Sequence, residues 1–404
     1  MSTSVTDERV LEGAIRVVDP TPHYGPAVAA DRPSALQEAL TSPLLRRALI
    51  AAVVIEHVLF VIAPLDVLFP VVAHDIGQQL VHGHLPYRDF AFEYPPLASA
   101  MFVLPGLVPD GLAQPMLALQ AVALEAAVFF VVIKPRGTEV VWRWVIASVL
   151  IFPFLSGGFD ALPMAAIAIS TVLLANERAS GWWVAAAGTA AKLSPAAVWA
   201  WARRPLVPAL VAGAVTAAVL LGSLALADSA DDGWLGYNAH RGVQVESSAG
   251  VTTWVTGQVS GSDATFEYRF RSWQVGDADA AANLWLAVAA LGVVVLLVRC
   301  GRHGPNDPWV ASLAATCVLL VGLKVFSPQY VAWATPLAVV LGGRWWRLWL
   351  GVLGLTVLAY AIGGHGAGFF LAVAARNVLV LVVAVTALRA IRPRPRPAPQ
   401  PVAP

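Results

Sequence analysis

Apolar stretches long enough to cross a lipid bilayer recur along this chain, from residue 48 to about residue 389. A transmembrane helix needs about 20 mostly apolar residues, within a range of roughly 17 to 25. Hydrophobic residues make up 58% of the 404 residues and charged residues 13%, whereas an average soluble domain is about one quarter charged. The surplus of apolar surface requires lipid, and the chain therefore predicts an all-α, polytopic membrane protein.

About twelve apolar windows are expected to be spans, although several of them are short. They are residues 48–65, 96–109, 113–133, 139–155, 161–176, 181–200, 205–227, 279–298, 308–324, 330–342, 347–363 and 372–390. The positive-inside rule then places both termini in the cytoplasm, but it leaves the basic connection 134–143 on the outer side. A wrongly assigned short span at 96–109 is the simplest explanation of this misfit.

The spans divide the chain into a membrane domain and two tails. Residues 1–45 predict a polar, mobile cytoplasmic tail, and residues 46–391 form the predicted membrane domain. Residues 392–404 predict a basic, proline-rich cytoplasmic tail that is attracted to anionic lipid.

Two long connections, residues 66–95 and 228–278, interrupt the apolar pattern, and both are expected on the extracytoplasmic face. Both contain aromatic, basic and acidic residues. Loops of this length are uncommon unless they build a site or are disordered, and disordered segments contain few aromatic residues. We therefore expect the chemistry of this protein to reside in these two loops.

Asp66, at the outer end of the first apolar window, is the candidate general base. At the boundary of hydrocarbon a carboxylate is partly desolvated, which raises its pKa and suits it to accept a proton. The alternative is that Asp66 caps a helix lying on the membrane surface, because Asp is a favoured N-cap residue. The residues alone leave both interpretations open.

Six short segments resemble the sequence pattern of glycosyltransferase family 87. They are residues 86–90 (PYRDF), 93–96 (EYPP), 159–163 (FDALP), 191–195 (AKLSP), 240–247 (HRGVQVES) and 326–330 (FSPQY). In order and spacing they cover nearly the whole membrane region. The resemblance implies a GT-C-type bundle with two long extracytoplasmic loops, and an enzyme that transfers a hexose, expected to be mannose, from a polyprenyl phosphate.

The chain departs from that pattern at two places. Gly158 stands where an arginine often precedes the Phe-Asp pair. The separation between Asp66 and Gly83 is about one helical turn longer than the resemblance leads us to expect. The longer separation makes Asp75 a second candidate for the general base.

The resemblance implies an inverting displacement, in which Asp66 or Asp75 deprotonates the acceptor hydroxyl as it attacks the anomeric carbon. The leaving phosphate is already anionic, so it needs cations more than a proton. The candidate cations are Arg241, Arg269, Arg271 and Lys324, and for each of them a solvated surface charge is the alternative. The residues implied to bind substrate are Tyr87, Arg88, Asp89, Glu93, Tyr94, His240, Arg241, Glu246, Lys324 and Gln329.

Asp160 and Lys192 are ionisable residues at or near the ends of apolar windows, and such residues are functional by default. The predicted topology places both of them in the cytoplasmic half, away from the two loops. Either they form a structural pair, or the predicted orientation of these spans is wrong.

Composition and motifs limit the partners. A net charge of +1 argues against nucleic acid, which requires a basic surface. His82, His84 and Asp89 lack the spacing of a zinc site, and we expect neither a metal nor another cofactor. No glycine-rich phosphate loop follows a strand, so a nucleotide-sugar donor is not expected and the donor should be lipid-linked.

The expected partners are a polyprenyl-phosphate sugar as donor, a glycolipid or cell-envelope glycan as acceptor, and membrane lipids. The expected location is the plasma membrane of a bacterium, an actinobacterium by the resemblance, with an extracytoplasmic active site. Three alternatives remain: transfer of arabinofuranose or another sugar, a transporter or flippase for a lipid-linked substrate, and a non-catalytic scaffold. A transporter predicts polar residues along a path through the bilayer, whereas here they gather at one face.

Overall fold

The computed structural model describes residues 42–62, 69–155, 159–227 and 233–393. Asp66, Gly158, most of the predicted N-terminal tail and the C-terminal tail from residue 394 onward lie outside the described residues. From Ala48 onward the chain forms one compact unit.

The described chain is mainly helical. Its α-helices are α1 Pro43–Ile62, α2 Phe69–Val81, α3 Ala100–Gly106, α4 Asp110–Val128, α5 Thr138–Leu155, α6 Ala161–Ala175, α7 Ser180–Ala191, α8 Leu206–Ala225, α9 Trp234–His240, α10 Ser248–Ser260, α11 Asp279–Cys300, α12 Pro308–Gly322, α13 Thr335–Leu341, α14 Gly343–Ile362 and α15 Ala367–Ala390. A π-helical segment, Phe129–Ile133, continues α4, and 3-10 helices form at Pro96–Ser99, Lys134–Arg136, Ser194–Ala200 and Pro328–Trp333.

The second long loop contains a small antiparallel sheet of β1 Val243–Gln244, β2 Phe266–Arg269 and β3 Ser272–Val275, in the order β1-β3-β2. Val243 lies opposite Val275 in one pair, and Arg269 lies opposite Ser272 at the end of the other. The sequence did not predict this sheet, because strands of two to four residues leave no recognisable alternating pattern.

Six helices in the described part of the chain are long and apolar enough to cross a membrane. They are Asp110–Arg136, Thr138–Leu155, Leu206–Ala225, Asp279–Cys300, Gly343–Ile362 and Ala367–Ala390, and shorter apolar helices span Pro96–Gly106, Ala161–Ala175 and Pro308–Gly322. The predicted class, an all-α polytopic membrane protein, is thus confirmed. The number of about twelve spans stays a prediction.

The basic connection 134–143 lies at the end of the bundle opposite to the two long loops. The Arg136 guanidinium lies 4.4 Å from the ring centre of Trp309, at the start of α12. Arg143 donates to the carbonyl oxygen of Val339, near the end of α13, at 3.3 Å. The connection therefore shares this end, here called the basic end, with the start of α12 and the end of α13 rather than with the loops.

The misfit in the predicted topology comes from the segment Pro96–Gly106. It is too short to cross a bilayer and packs beside α2 and α4: Gln120 donates to the carbonyl oxygen of Met101 at 3.1 Å, and His74 Nδ1 lies 3.1 Å from that of Pro105. Counting this segment as a span reversed the predicted direction of α4 and of the helices that follow it.

A second misassigned window restores the direction further along the chain. The predicted span 181–200 is two segments: α7, and the 3-10 helix Ser194–Ala200, which returns toward the basic end. There Arg203 packs beside Gly304, in the connection between α11 and α12. Pro195 in the first turn of the 3-10 helix fits a new helix start at this break, because proline donates no backbone hydrogen bond and is favoured in a first turn.

Two glycines fix how α2 lies against α3. A Cβ atom added at Gly77 would collide with the carbonyl oxygen of Phe102 and with backbone atoms of Gly106, and the reverse holds for a Cβ atom at Gly106. Only residues without a side chain permit this backbone contact. The contact holds the start of the first long loop against the short helices that follow it.

Gly77→Ala is expected to lower the free energy of unfolding by about 1 to 3 kcal/mol, because the new methyl group meets backbone that cannot move aside. Gly111→Ala in α4 is the matched control, since no heavy atom lies within 4 Å of the added methyl group. Thermal unfolding of the detergent-purified variants measures the difference. Equal melting temperatures would contradict the close α2–α3 contact.

Candidate functional site

Polar and aromatic side chains from both long loops and from the helix ends meet at the end of the bundle opposite to the basic end. We call them the loop-end cluster, which comprises Glu93, Tyr94, Asp160, Lys192, Tyr237, Arg241, Arg271, Lys324, Tyr330 and Trp333. Beneath it lies a hydrophobic core whose members include Phe92, Phe102, Phe159 and Ala191. This core supports the polar residues from below.

A buried ion pair joins Asp160 to Lys192. The Lys192 ammonium lies 2.7 Å from Asp160 Oδ1, and the Trp333 indole donates to the same oxygen at 3.0 Å. Asp160 is 4% exposed. A buried charge is tolerated when its partner and its hydrogen bonds are in place, as they are here.

Aromatic rings surround the Lys192 ammonium on several sides. It lies 4.4 Å from the ring centre of Tyr330, 5.0 Å from that of Phe159 and 5.2 Å from that of Trp333, distances at which cation–π attraction acts. Lys192 reaches them because α7 ends at Ala191 and Lys192 itself has extended backbone angles. The pair is therefore a fixed charge centre built where a helix stops.

The predicted position of Asp160 and Lys192 in the cytoplasmic half is wrong. Phe159 packs edge-on against Tyr94 of the first loop, with 4.5 Å between the ring centres. The pair therefore lies beside the loops. The predicted orientation of these spans was wrong because the segment Pro96–Gly106 does not cross the membrane. The sequence left open a structural pair or a wrong orientation, and both are true.

Glu93 is the second carboxylate of the loop-end cluster. Its Oε1 lies 3.3 Å from Arg271 Nη1, and the Tyr94 and Tyr237 phenols are hydrogen-bonded to its side chain. Asn238 donates to its backbone carbonyl at 3.1 Å. Burial and the charge of Glu93 raise the pKa of both phenols, and the protonated phenols act as hydrogen-bond donors.

Arg241 and Lys324 supply further positive charge. Arg241 Nη2 donates to Ser272 Oγ at 3.2 Å, and Lys324 Nζ donates to the carbonyl oxygen of Ala239 at 3.1 Å. Burial and the neighbouring Arg241 lower the pKa of Lys324. Whereas Asp160 pairs with Lys192 and Glu93 with Arg271, neither of these two cations is ion-paired with a carboxylate among the described residues.

Tyr87, Arg88 and Asp89 form a compact turn rather than part of the cluster. Tyr87 is buried, and its hydroxyl donates to the carbonyl oxygen of Tyr94 at 2.6 Å. Asp89 accepts from the backbone amide of Leu85 at 2.7 Å and pairs with Arg88 at 2.9 Å, and these interactions lower the pKa of Asp89. The turn positions Tyr94, and its predicted substrate contacts stay predictions.

Glu246 belongs to a separate buried network. Its carboxylate accepts from the side-chain amide of Gln244 at 2.6 Å, and its backbone carbonyl accepts from Arg376 at 2.7 Å and from Asn377 at 3.1 Å. Burial raises the pKa of Glu246 to about 7, against the opposing effects of Arg376 and of a hydrogen bond from Tyr360. The network fastens the second loop to α15.

The remaining predicted site residues lie at the margin of the cluster. His240 is the exposed last residue of α9, and Gln329 is half-buried in the 3-10 helix that carries Tyr330 and Trp333. Among the described residues, no group of three or more His, Cys, Asp or Glu side chains is arranged to hold a metal ion.

The two candidate bases differ in what the structure shows. Asp66 lies outside the described residues. Asp75 is exposed on α2, whereas Ala73, Ile76 and Gly77 on the same helix are buried. No hydrogen bond or ion pair within the described part of the chain joins Asp75 to the loop-end cluster. The assignment of the base to either residue stays a prediction.

Sequence reasoning missed a polar group inside the bundle. His57 of α1 lies 3.0 Å from the Glu125 carboxylate of α4 and stacks on Phe152 with 3.7 Å between the ring centres, and Ser148 also donates to Glu125. The signal was present, because acids and a histidine inside apolar windows are rare. These contacts attach α1 to its neighbours.

The family model of glycosyltransferase family 87 matches residues 92–328 of this chain. The match begins directly before Glu93 and includes Asp160, Lys192, Arg241 and the hairpin that carries Arg271. No curated protein and no solved structure matches the chain.

Lys192→Met and Asp160→Asn are each expected to lower the free energy of unfolding by about 3 to 5 kcal/mol, because each leaves a buried charge without its partner. The double variant is expected to lose less than the sum of the two. Exposed Glu267 and Arg269, 3.6 Å apart, provide the control cycle through Glu267→Gln and Arg269→Met, with a coupling of about 1 kcal/mol or less. The free energies of unfolding are measured by thermal unfolding. If the losses of Lys192→Met and Asp160→Asn were additive in the double variant, Asp160 and Lys192 would not form an interacting pair.

The stability of the protein is expected to fall as the pH rises from about 5 to 8, in part through Glu246. Its pKa is about 7 in the folded protein and 4.5 in an unperturbed chain, so the folded state binds the proton more tightly. Glu246 thereby contributes about 3 kcal/mol to the free energy of unfolding. This contribution is fully present below pH 4.5 and is lost above about pH 7.

Glu246→Gln mimics the protonated side chain and is expected to flatten this part of the dependence of the melting temperature on pH. Asp263→Asn, at an exposed position of the same loop, is the control and should leave the dependence unchanged. A Glu246→Gln profile parallel to that of the wild type would show that Glu246 does not titrate in this range.

Proposed function

The chain belongs to glycosyltransferase family 87 and is a membrane glycosyltransferase, and from this premise we propose that it moves a hexose, in the first instance mannose, from a polyprenyl phosphate to a glycolipid or cell-envelope glycan. The observation that carries the choice of donor is the positive charge of Arg241 and Lys324. Neither is ion-paired with a carboxylate among the described residues. A phosphate is the ligand that such a pair of cations favours.

Two further features of these cations support a phosphate ligand. Arg241 Nε is buried and has no hydrogen-bond partner among the described residues, which is costly unless a ligand accepts a hydrogen bond from it. Burial and Arg241 lower the pKa of Lys324 against the opposing charge of Asp279, and a bound anion would act in the same direction as Asp279. Both features support an anionic ligand at this site.

In the proposed reaction the acceptor hydroxyl attacks the anomeric carbon and transfers its proton to a loop carboxylate. The bond between the anomeric carbon and the phosphate oxygen breaks, and polyprenyl phosphate leaves with both electrons of that bond. Arg241 and Lys324 stabilise the charge that develops on the phosphate. One displacement of this kind inverts the anomeric configuration. Asp66 is the proposed base and Asp75 the alternative.

The sugar of the donor is proposed to lie against Glu93, Tyr94 and Tyr237. A carboxylate accepts hydrogen bonds from sugar hydroxyls, and phenols donate to them. The aromatic rings around Lys192 close the floor of this region, and the Asp160–Lys192 pair holds them in place. Tyr87, Arg88, Asp89, His240, Glu246 and Gln329 are proposed to support the same site from its margin.

The proposed setting is the extracytoplasmic face of a bacterial plasma membrane, in an actinobacterium-like envelope. The loop-end cluster is opposite to the basic end, and the positive-inside rule assigns a basic end to the cytoplasm. A donor with a long isoprenoid tail then approaches from the outer leaflet, and the acceptor is a lipid or glycan of the envelope.

Asp66→Asn is expected to lower the rate of sugar transfer by about 100-fold to 10,000-fold, because an amide cannot accept the proton of the attacking hydroxyl. Asp75→Asn is expected to retain most of the activity. The measurement is the initial rate of mannose transfer from synthetic polyprenyl-phosphate mannose to a lipid extract of an actinobacterium, with polyprenyl-phosphate arabinofuranose as the competing donor.

The outcomes separate the alternatives. Loss of activity in Asp75→Asn with full activity in Asp66→Asn would assign the base to Asp75. Full activity in both variants would exclude both Asp66 and Asp75 as the base. Faster transfer of arabinofuranose than of mannose would correct the sugar but keep the mechanism.

A further inference from the structure

The turn between β2 and β3 has an unusual backbone. Arg269 pairs with Ser272, so Phe270 and Arg271 alone form the loop of the hairpin. Their φ angles are 51° and 56°, in the left-handed region that side chains disfavour. Two-residue hairpins of this kind normally carry Asn-Gly or similar pairs, because those residues adopt positive φ at low cost.

The two strained residues are the ones that reach the loop-end cluster. Arg271 Nη1 lies 3.3 Å from Glu93 Oε1. The Phe270 ring packs edge-on against Tyr237, with 5.2 Å between the ring centres and an interplanar angle of 87°. Tyr237 is itself hydrogen-bonded to Glu93, so the hairpin tip contacts both members of this acid–phenol pair.

The base of the hairpin has anchors of its own, apart from the contacts of the tip. β3 pairs with both β1 and β2, and the backbone amide of Val245 donates to the carbonyl oxygen of Trp273 at 3.1 Å. Phe266 stacks on Phe370 of α15, with 5.6 Å between the ring centres. The tip extends from this anchored base toward the first loop.

The Arg271–Glu93 pair also contributes little to stability by its own nature. The Arg271 side chain is 45% exposed, whereas that of Glu93 is 11% exposed. Ion pairs with an exposed partner are weak, since water screens them. Strained backbone persists at functional sites where the surrounding structure holds it, and here the strain places an arginine and an aromatic ring on residues that face the proposed substrate.

We propose that Phe270 and Arg271 are positioning residues that hold the Glu93 carboxylate and the Tyr237 phenol in the orientation that binds the hydroxyls of the transferred sugar. This inference rests on the proposed function. Arg271 fixes the carboxylate by its charge, and Phe270 fixes the phenol ring by its edge contact. The hairpin tip is then the wall of the sugar subsite on the side of the second loop.

The test replaces the tip by the pair that suits its backbone best, with Phe270→Asn and Arg271→Gly together. This variant keeps or raises the melting temperature, because it relieves the strain. Its affinity for polyprenyl-phosphate mannose is expected to fall about tenfold, since Glu93 loses its charged partner. Its affinity for sugar-free polyprenyl phosphate is expected to stay the same. Both affinities are measured by titration of the intrinsic tryptophan fluorescence.

Single substitutions and a control complete the experiment. Arg271→Met should weaken binding of the sugar-bearing lipid, but less than the double variant does, because Phe270 still holds the Tyr237 ring. Arg271→Lys should fall between Met and wild type. Glu267→Gln, on the same hairpin but away from the tip, is the matched control and should bind both lipids as the wild type does.

The two proposals fail in distinguishable ways. Wild-type protein that binds neither lipid would count against the proposed function, whereas wild-type protein that binds both lipids equally would overturn the sugar subsite alone. Suppose that the wild type prefers the sugar-bearing lipid and that the Asn-Gly and Met variants keep this preference. The proposed role of the hairpin tip would then be overturned, and the proposed function would stand.

Discussion

Backbone polar groups and charges within the hydrocarbon of a membrane must find partners inside the protein. The loop-end cluster is built where this chain provides such partners. Two apolar segments break, one at Lys192 after α7 and one at Ser327 before the 3-10 helix Pro328–Trp333. The two breaks meet, because the Lys192 ammonium lies over the rings of Tyr330 and Trp333. The charge at one helix interruption is thus held by the aromatic rings of the other, and together they form the floor of the site.

The sequence predicted the break before Pro328 but ran one span, 181–200, across the break at Lys192, and it did not predict that the two breaks meet. Ser194-Pro195 and Ser327-Pro328 are recognisable stop signals, and Asp160 and Lys192 stand out as charges in apolar surroundings. The side of the membrane on which Asp160 and Lys192 lie depends on how many spans precede them. One short segment, Pro96–Gly106, was wrongly counted as a span and reversed that side. Hydropathy measures how apolar a segment is, whereas crossing depends on its length and on what packs beside it, which only the fold reveals.

The residues of the two loops were also predicted only in part. Glu93 and Tyr94 were predicted as site residues, and both are in the cluster. Tyr237 was not predicted, because an aromatic residue in a polar loop gives no information about its neighbours. The hairpin tip was invisible for a different reason: Phe270-Arg271 lacks the Asn-Gly signal by which two-residue hairpins are recognised. Local rules failed where a long-range contact selected the residues, which is the behaviour expected of a functional site.

The packing of α2 bears on which acid is the base. Asp75 and Gly77 are two residues apart, so their directions around the helix differ by about 200°. Gly77 faces the backbone of α3, and Ala73 and Ile76 belong to the hydrophobic core that also contains Phe92 and Phe159, directly beneath the loop-end cluster. Asp75 therefore points away from that core, and turning it inward would break the contact between Gly77 and Gly106. The packing of α2 therefore counts against Asp75 as the proton acceptor, and for that reason Asp75 is the alternative and not the first choice of base.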